Sequence, residues 1–233
     1  SADLLVEPQW LGSEVYYTGG LIRDKNRKKV MGVDVARSGD DDSAIVIRQG
    51  DDVIYVDSWH GKDTVVTTEK VKAAFETYQV DVIYVDVIGV GAGVFDMLKH
   101  HGYPVKECNV AEKAPEWEKE NSRKTNCKLL RDWLWWQARL YFRQRPVRFH
   151  GHEEDERWKT LKTELTTPTY THKGREVIAE SKDELKKRGV ASPNLADALN
   201  MTFLADWKTG AGTGQQSARR SRKKKIRRSY KTV

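Results

Sequence analysis

Apolar and polar positions along this chain predict alternating strands and helices. Two short runs, Val30-Met-Gly-Val-Asp34 and Val82-Ile-Tyr-Val-Asp86, are rich in β-branched and aromatic residues and end on an aspartate. This is the pattern of a buried strand that delivers an acid to its tip. Two further strands are expected over about 44–49 and 53–59, joined by Gly50-Asp51-Asp52, a hairpin signal. Residues 64–79 carry helical spacing (Val65, Val66, Val71, Ala74, Phe75, Tyr78), and strand 82–87 leads through a glycine-rich turn to a helix near 91–101 and a strand near 104–109. The stretch 118–143 reads as one long helix with an apolar and aromatic face (Leu129, Leu130, Trp133, Trp136, Leu140), and a helix near 153–165 follows it. Residues 168–180 read as extended around a His172-Lys-Gly174 turn, helix 182–188 stops at Gly189, and Pro193 precedes a last helix over about 194–206.

Three antiparallel strands followed by helix, strand, helix and strand describe an α/β fold with a mixed central β-sheet flanked by helices. The first strand is expected to lie centrally, beside the strand carrying Asp86, so that Asp34 and Asp86 end near one another. The segment Ser192-Pro-Asn-Leu-Ala-Asp197 opens the last helix and adds a third acid from its first turn. Three carboxylates gathered in this way form an oxygen-only donor set of the kind that suits Mg²⁺ or Mn²⁺. The bland readings are a solvated strand-end acid for Asp34 and Asp86, and a helix-dipole acid for Asp197. Asp197 sits amid Ala196, Ala198 and Leu199, where an unpaired buried charge would be costly, and the three together are better explained by a metal site. Lys182, at the end of an extended run, is a candidate to contact a scissile phosphate.

Charge changes the picture only once it is located. Ten of the 41 Lys and Arg fall in residues 208–233, which hold no acid; the other 31 face 34 Asp and Glu, so residues 1–207 carry a net −3. The chain therefore divides into a lead-in or linker, 1–29, a body, 30–207, and a basic tail, 208–233, expected to be disordered for lack of apolar content. The run Arg219 to Arg228 suits polyanions bound by counterion release, with solubilisation as the bland alternative. No apolar stretch approaches the length of a membrane span, and no signal-peptide pattern opens the chain. Cys108 and Cys127 lie outside any CxxC, which argues against zinc and for reduced thiols in a cytosolic compartment.

Other motifs point away from rival chemistries. No GxxxxGK[ST] occurs, so no ATP site is recognisable. The glycines of Ile88-Gly-Val-Gly-Ala-Gly-Val-Phe are spaced GxGxG, not as a dinucleotide fingerprint, and are read as a tight strand-to-helix turn. The run His152-Glu-Glu-Asp-Glu156 lacks HExxH spacing and reads as an acidic helix start. The tryptophans at 133, 135 and 136 are read as mainly core.

Three groups of residues together resemble the nuclease domain of the large terminase subunit of tailed bacteriophages. They are Gly32-Val-Asp34-Val-Ala-Arg-x-Gly39-x-Asp41; Tyr84-Val-Asp86 with Gly89-x-Gly91-x-Gly93-Val-x-Asp96-x-Leu98; and Glu180-Ser-Lys182 with Ser192-Pro-x-x-Ala-Asp197-Ala-Leu199. The resemblance covers roughly residues 30–206 and implies an RNase H-like fold. It implies an endonuclease with two Mg²⁺ or Mn²⁺ ions that cuts concatemeric double-stranded viral DNA during packaging in the host cytoplasm. Carried over, Asp34, Asp86 and Asp197 are the metal-binding carboxylates, with Asp41 and Lys182 as weaker candidates. Some relatives carry a histidine where this chain has Asn194, so a fourth ligand from that side is not expected. The implied partners are DNA, the portal protein, the small terminase subunit and a terminase ATPase domain that this chain does not contain. Rival readings are another RNase H-like nuclease, such as a resolvase or transposase, and a non-catalytic DNA- or portal-docking module.

Overall fold

A computed structural model describes residues 3–20, 26–36, 41–61, 63–115 and 126–208. Part of the turn after Asp34, residues 118–125 of the expected long helix and nearly all of the basic tail lie outside them. In chain order the strands are β1 (Asp3–Leu4), β2 (Lys29–Asp34), β3 (Asp42–Gln49), β4 (Asp52–His60), β5 (Val82–Asp86), β6 (Val105–Cys108), β7 (Asn126–Cys127), β8 (Arg148–Phe149), β9 (Thr169–Lys173) and β10 (Glu176–Ala179). The helices are α1 (Thr64–Tyr78), α2 (Gly91–His100), α3 (Leu130–Gln144), α4 (Glu156–Thr166), α5 (Lys182–Lys187), α6 (Asn194–Met201) and α7 (Phe203–Lys208). Among the described residues no helix is long and apolar enough to cross a membrane.

The main sheet has six strands in the order β6-β5-β2-β3-β4-β8, with β2-β3-β4 antiparallel and β5 and β6 parallel to β2. The expected mixed sheet is present, with β2 central and β5 beside it. A second, four-stranded sheet, β1-β9-β10-β7, was not expected. Its edge strand comes from the lead-in, whose Leu5, Val6, Leu11 and Val15 are buried in the core. The hairpin around Gly174 is as the sequence suggests, because Gly174 supplies the left-handed backbone (φ 64°) that the turn needs.

Strand periodicity sorts side chains between two cores. Met31 and Val33 of β2, with Ile83 and Val85 of β5, point to one face and pack with Val71 of α1 and Val94 and Leu98 of α2. Val30 and Val82, with Tyr84, point to the other face, toward α3, α4 and α6. By the same two-residue period Gly32, Asp34 and Asp86 belong to that second face. The parallel register pairs Gly32 with Tyr84 and Val33 with Val85, so Asp34 and Asp86 lie one step further along neighbouring strands.

α6 covers this face by close backbone approach. A Cβ added at Gly32 would overlap the carbonyl oxygen of Ala198; only glycine lets the helix lie this near the strand. The helix is then held at its ends. Arg48, fully buried on β3, donates from Nε to Thr202 Oγ1 at 2.8 Å and from Nη2 to Asp206 at 2.8 Å. At the other end, where Pro193 gives no side-chain cap, Glu164 of α4 accepts the Ala196 N–H at 2.9 Å.

Three helices differ from expectation. α3 begins at Leu130, not near 118, because Asn126–Cys127 pair as a strand with β10 and Leu129 is the extended N-cap. α1 has the expected span, but Val65 is 58 % exposed and Thr67 and Thr68 are buried in its place; Thr68 satisfies its hydroxyl on the Thr64 carbonyl. The last helix breaks at Thr202 into α6 and α7.

Gly32→Ala is expected to lower unfolding stability toward the upper end of the overpacking range, about 3 kcal/mol, because the obstacle is a main-chain carbonyl. Gly93→Ala is the contrast: its Cβ would meet only a Thr64 methyl at 3.8 Å, and it should be neutral or stabilise by up to about 1 kcal/mol. Urea melts of both variants check the pair, and equal effects would contradict the close-approach reading.

Candidate active site at the strand tips

The tips of β2 and β5, the inner face of α6 and the start of α5 border a cleft of about 580 Å³. Asp34, Asp86, Asp197, Lys182 and Asp41 all line it, so every site residue expected from the sequence reaches one concavity. They are not equivalent within it. Asp34 is 6 % exposed. Lys182 Nζ stands 3.3 Å from Asp34 Oδ2 and 3.0 Å from Asp197 Oδ2, bridging the two acids. Asp86 is held by its own turn, where its Oδ1 accepts the Ile88 N–H at 3.0 Å. Asp41 stands apart from that trio, 3.7 Å from Lys186.

Each candidate side chain has a local reason for its place. A Cβ on Gly91 would overlap the Asp86 carbonyl oxygen, so a glycine there lets α2 start directly against the strand tip. Lys182 is the first residue of α5, whose Ser181 cap and Glu184 form a reciprocal capping box. Upstream, Arg131 donates to the carbonyls of Ala179 at 3.1 Å and Glu180 at 2.6 Å, fixing the turn that presents Lys182.

The electrostatics follow from three carboxylates sharing one ammonium. Burial pushes the Asp34 pKa up to about 7, against the pull of Lys182 and with repulsion from Asp197 and Asp86 added. Burial also raises Asp86, opposed by the Ile88 N–H and Lys182. Burial disfavours the Lys182 ammonium, but Asp197 and Asp34 outweigh it and hold its pKa above the ordinary lysine value. As placed here, no trio of acids, histidines or cysteines among the described residues closes into a metal-ligand cluster; the ammonium lies between two of the three acids. The donor set nevertheless fits a hard cation. It is all carboxylate oxygen, it is concave, and it sets three carboxylates against one ammonium.

Three contributors escaped the sequence reading. Trp135, buried on α3, donates its Nε1–H to Asp197 Oδ1 at 3.2 Å; the tryptophan cluster was read as core, and its indole hydrogen is the part that orients an acid. Glu164 caps α6, and burial raises its pKa to about 8, opposed by the Ala196 N–H and reinforced by Asp197. Asn200, one turn after Asp197, lines the cleft. Only the last carries a signal in the sequence, its helical spacing from Asp197. Trp135 and Glu164 reach the site from elements distant in the chain.

A family model described as the terminase RNaseH-like domain matches residues 31–205. Among solved structures, the nuclease domain of the large terminase subunit of bacterial virus Sf6 is 18% identical, with a TM-score of 0.67 over 85% of this chain and 97% of that one. A mutant of that domain solved with manganese gives a TM-score of 0.66 at 18% identity and the same coverage. The large terminase nuclease of thermophilic phage G20c, solved with bound magnesium, is 15% identical, with a TM-score of 0.55 over 78% of this chain and 82% of that one. No curated protein sequence matches. At such identities the structural likeness is one of fold.

The raised Asp34 pKa has a definite sign for stability. Because the folded state keeps the Asp34 proton to about pH 7 while an unfolded aspartate loses it near its ordinary value of 3.8, folding stability in metal-free buffer should fall as pH rises between those values. Asp34→Asn should flatten that slope without abolishing it, since Glu164 is raised as well. Urea melts at pH 4.5, 6 and 8 in EDTA test this; an unchanged slope would place the titration elsewhere.

Proposed function

The chain belongs to the terminase RNaseH-like domain family, and from that premise we propose that it is the metal-dependent endonuclease that cuts concatemeric double-stranded viral DNA during genome packaging. Membership carries a nuclease role in DNA packaging. The observation that supports the chemistry best is the convergence of Asp34, Asp86 and Asp197 on one cleft with a single ammonium among them.

In this reading Asp34, Asp86 and Asp197 hold two divalent cations, Mg²⁺ or Mn²⁺. When bound, the ions supply a hydroxide from a coordinated water and stabilise the leaving 3′ oxygen. Asp34 would help to hold both ions, since it lies on the central strand and interacts with both Asp86 and Asp197. Asp86 and Asp197 each complete one side, with the Trp135 indole fixing the face that Asp197 turns to the cleft. Lys182, kept cationic by its acidic neighbours, places a compact positive charge beside the scissile phosphate. Asp41 also lines the cleft, paired with Lys186, and is a weaker candidate ligand. The exposed Ile88 and Gly89 line the cleft mouth, and the open space around Gly89 lets a DNA backbone come close to Asp86.

Because residues 1–207 carry a net −3, tight hold on DNA falls to other parts. These are the basic tail, a terminase ATPase domain, the small terminase subunit and the portal protein, acting together in the host cytoplasm. The tail serves DNA or the portal, since one basic run cannot cover both surfaces at once.

The test is incubation of supercoiled plasmid with Mg²⁺, Mn²⁺ or EDTA. Nicking followed by linearisation, with little sequence preference, is expected in either metal and none in EDTA. Asp34→Asn, Asp86→Asn and Asp197→Asn should each lower the rate by more than about 100-fold, beyond the range seen for outer partners of a metal ligand. Cleavage that persists in EDTA, or in Asp34→Asn freed of contaminating nuclease, contradicts the assignment; DNA binding with no cleavage in either metal would favour a docking module.

A further inference from the structure

Asn200 is 2 % exposed, yet neither its amide oxygen nor its amide nitrogen has a hydrogen-bond partner among the described residues. It lines the cleft that holds the three acids and follows Asp197 by one turn of α6. A buried carboxamide with both functions unmet carries an uncompensated desolvation cost for each group. Core packing does not call for it, since a leucine of similar size would fill the same space without that cost. A group in this state at the wall of a reaction cleft is suited to something that enters the cleft.

We propose that Asn200 is a positioning residue that holds a water ligand of the divalent cation bound at Asp197. The chemistry selects such an occupant. A water coordinated to a cation has its lone pair committed to the ion and offers only hydrogens, which the Asn200 Oδ1 can accept. The Nδ2 hydrogens can go to a carboxylate or phosphate oxygen in the same cleft. With its Oδ1 engaged by the Trp135 indole, Asp197 has only Oδ2, the oxygen that faces Lys182, to offer an ion, which leaves the ion's other positions on that side to water. The helix thus presents an ion ligand and, one turn on, a group that fixes the ion's hydration. Asn200 rather than a charged residue serves because the cleft already carries an excess of carboxylate.

This inference rests on the metal-site reading above, and the experiment separates the two. Mn²⁺ binding is measured by titration calorimetry, and thermal stability with and without Mn²⁺, for the wild type, Asn200→Leu and Asn200→Asp. Leu keeps the size and removes both unmet groups, so the metal-free Tm should stay the same or rise. Its Mn²⁺ affinity should nevertheless fall about 10-fold, the lower end for outer partners of a metal ligand. Asn200→Asp, which keeps an acceptor oxygen, should bind Mn²⁺ at least as tightly as the wild type. A purely structural amide would give the reverse for Asn200→Leu, a lower metal-free Tm with unchanged Mn²⁺ affinity, and that result overturns the proposal. If Asn200→Leu does not fold, Asn200→Ala decides: weaker Mn²⁺ binding supports the role and unchanged binding overturns it. No Mn²⁺ binding by the wild type would overturn the metal reading itself, and this inference with it.

Discussion

The contact on which the rest depends is the Ala198 carbonyl resting on Gly32. With no side chain at residue 32, the helix backbone lies directly on the central strand, and Asp197 is carried to within reach of the ammonium that also contacts Asp34. Any larger residue would lift α6 and open that spacing. The helix is short, eight residues, and would not be stable alone, so its position comes from what holds it: Arg48 under its C-terminal end, Glu164 at its N-terminus and Trp135 on its functional acid. Each of these is a buried or half-buried polar contact that fixes orientation more than it adds stability. Precision at Asp197 is the product of four separate elements meeting on one helix.

That precision works against the electrostatics. Strand periodicity sends Asp34 and Asp86 to the same face of neighbouring strands, and α6 brings a third acid to them. Water would have kept these charges apart; burial removes it, and the resulting rise in the Asp34 pKa is the residue of that conflict. A single lysine relieves part of the repulsion. A fold that places more negative charge in a cleft than its own residues neutralise is poised for a cation, and functional sites are where such locally unfavourable arrangements persist.

Much of this was legible along the chain because it depends on local pattern. The apolar runs ending at Asp34 and Asp86 identify their strands, and the order of elements places β2 centrally beside β5, as found. Pro193 marks the start of the last helix, and Gly189 the end of α5. What could not be read depends on contacts between distant segments. The buried role of Leu5, Leu11 and Val15 follows from the pairing of β1 with β9, a partner more than a hundred residues away. The late start of α3 follows from the capture of Asn126 and Cys127 by β10. Val65 and Val66 show that apolar residues at helical spacing need not be the ones covered, since the neighbouring Thr67 and Thr68 take the inner face. In the cleft, the acids stand out along the chain as types at recognisable positions, whereas the indole of Trp135 and the carboxyl of Glu164 come near them only through the fold.

Anomalous scattering from crystals grown with Mn²⁺ is the decisive measurement of the metal site, because it locates the cation without depending on turnover. Two peaks are expected in the cleft, both within ligating distance of Asp34, one shared with Asp86 and the other with Asp197. An empty cleft at saturating Mn²⁺, with Lys182 still bridging Asp34 and Asp197, would contradict it.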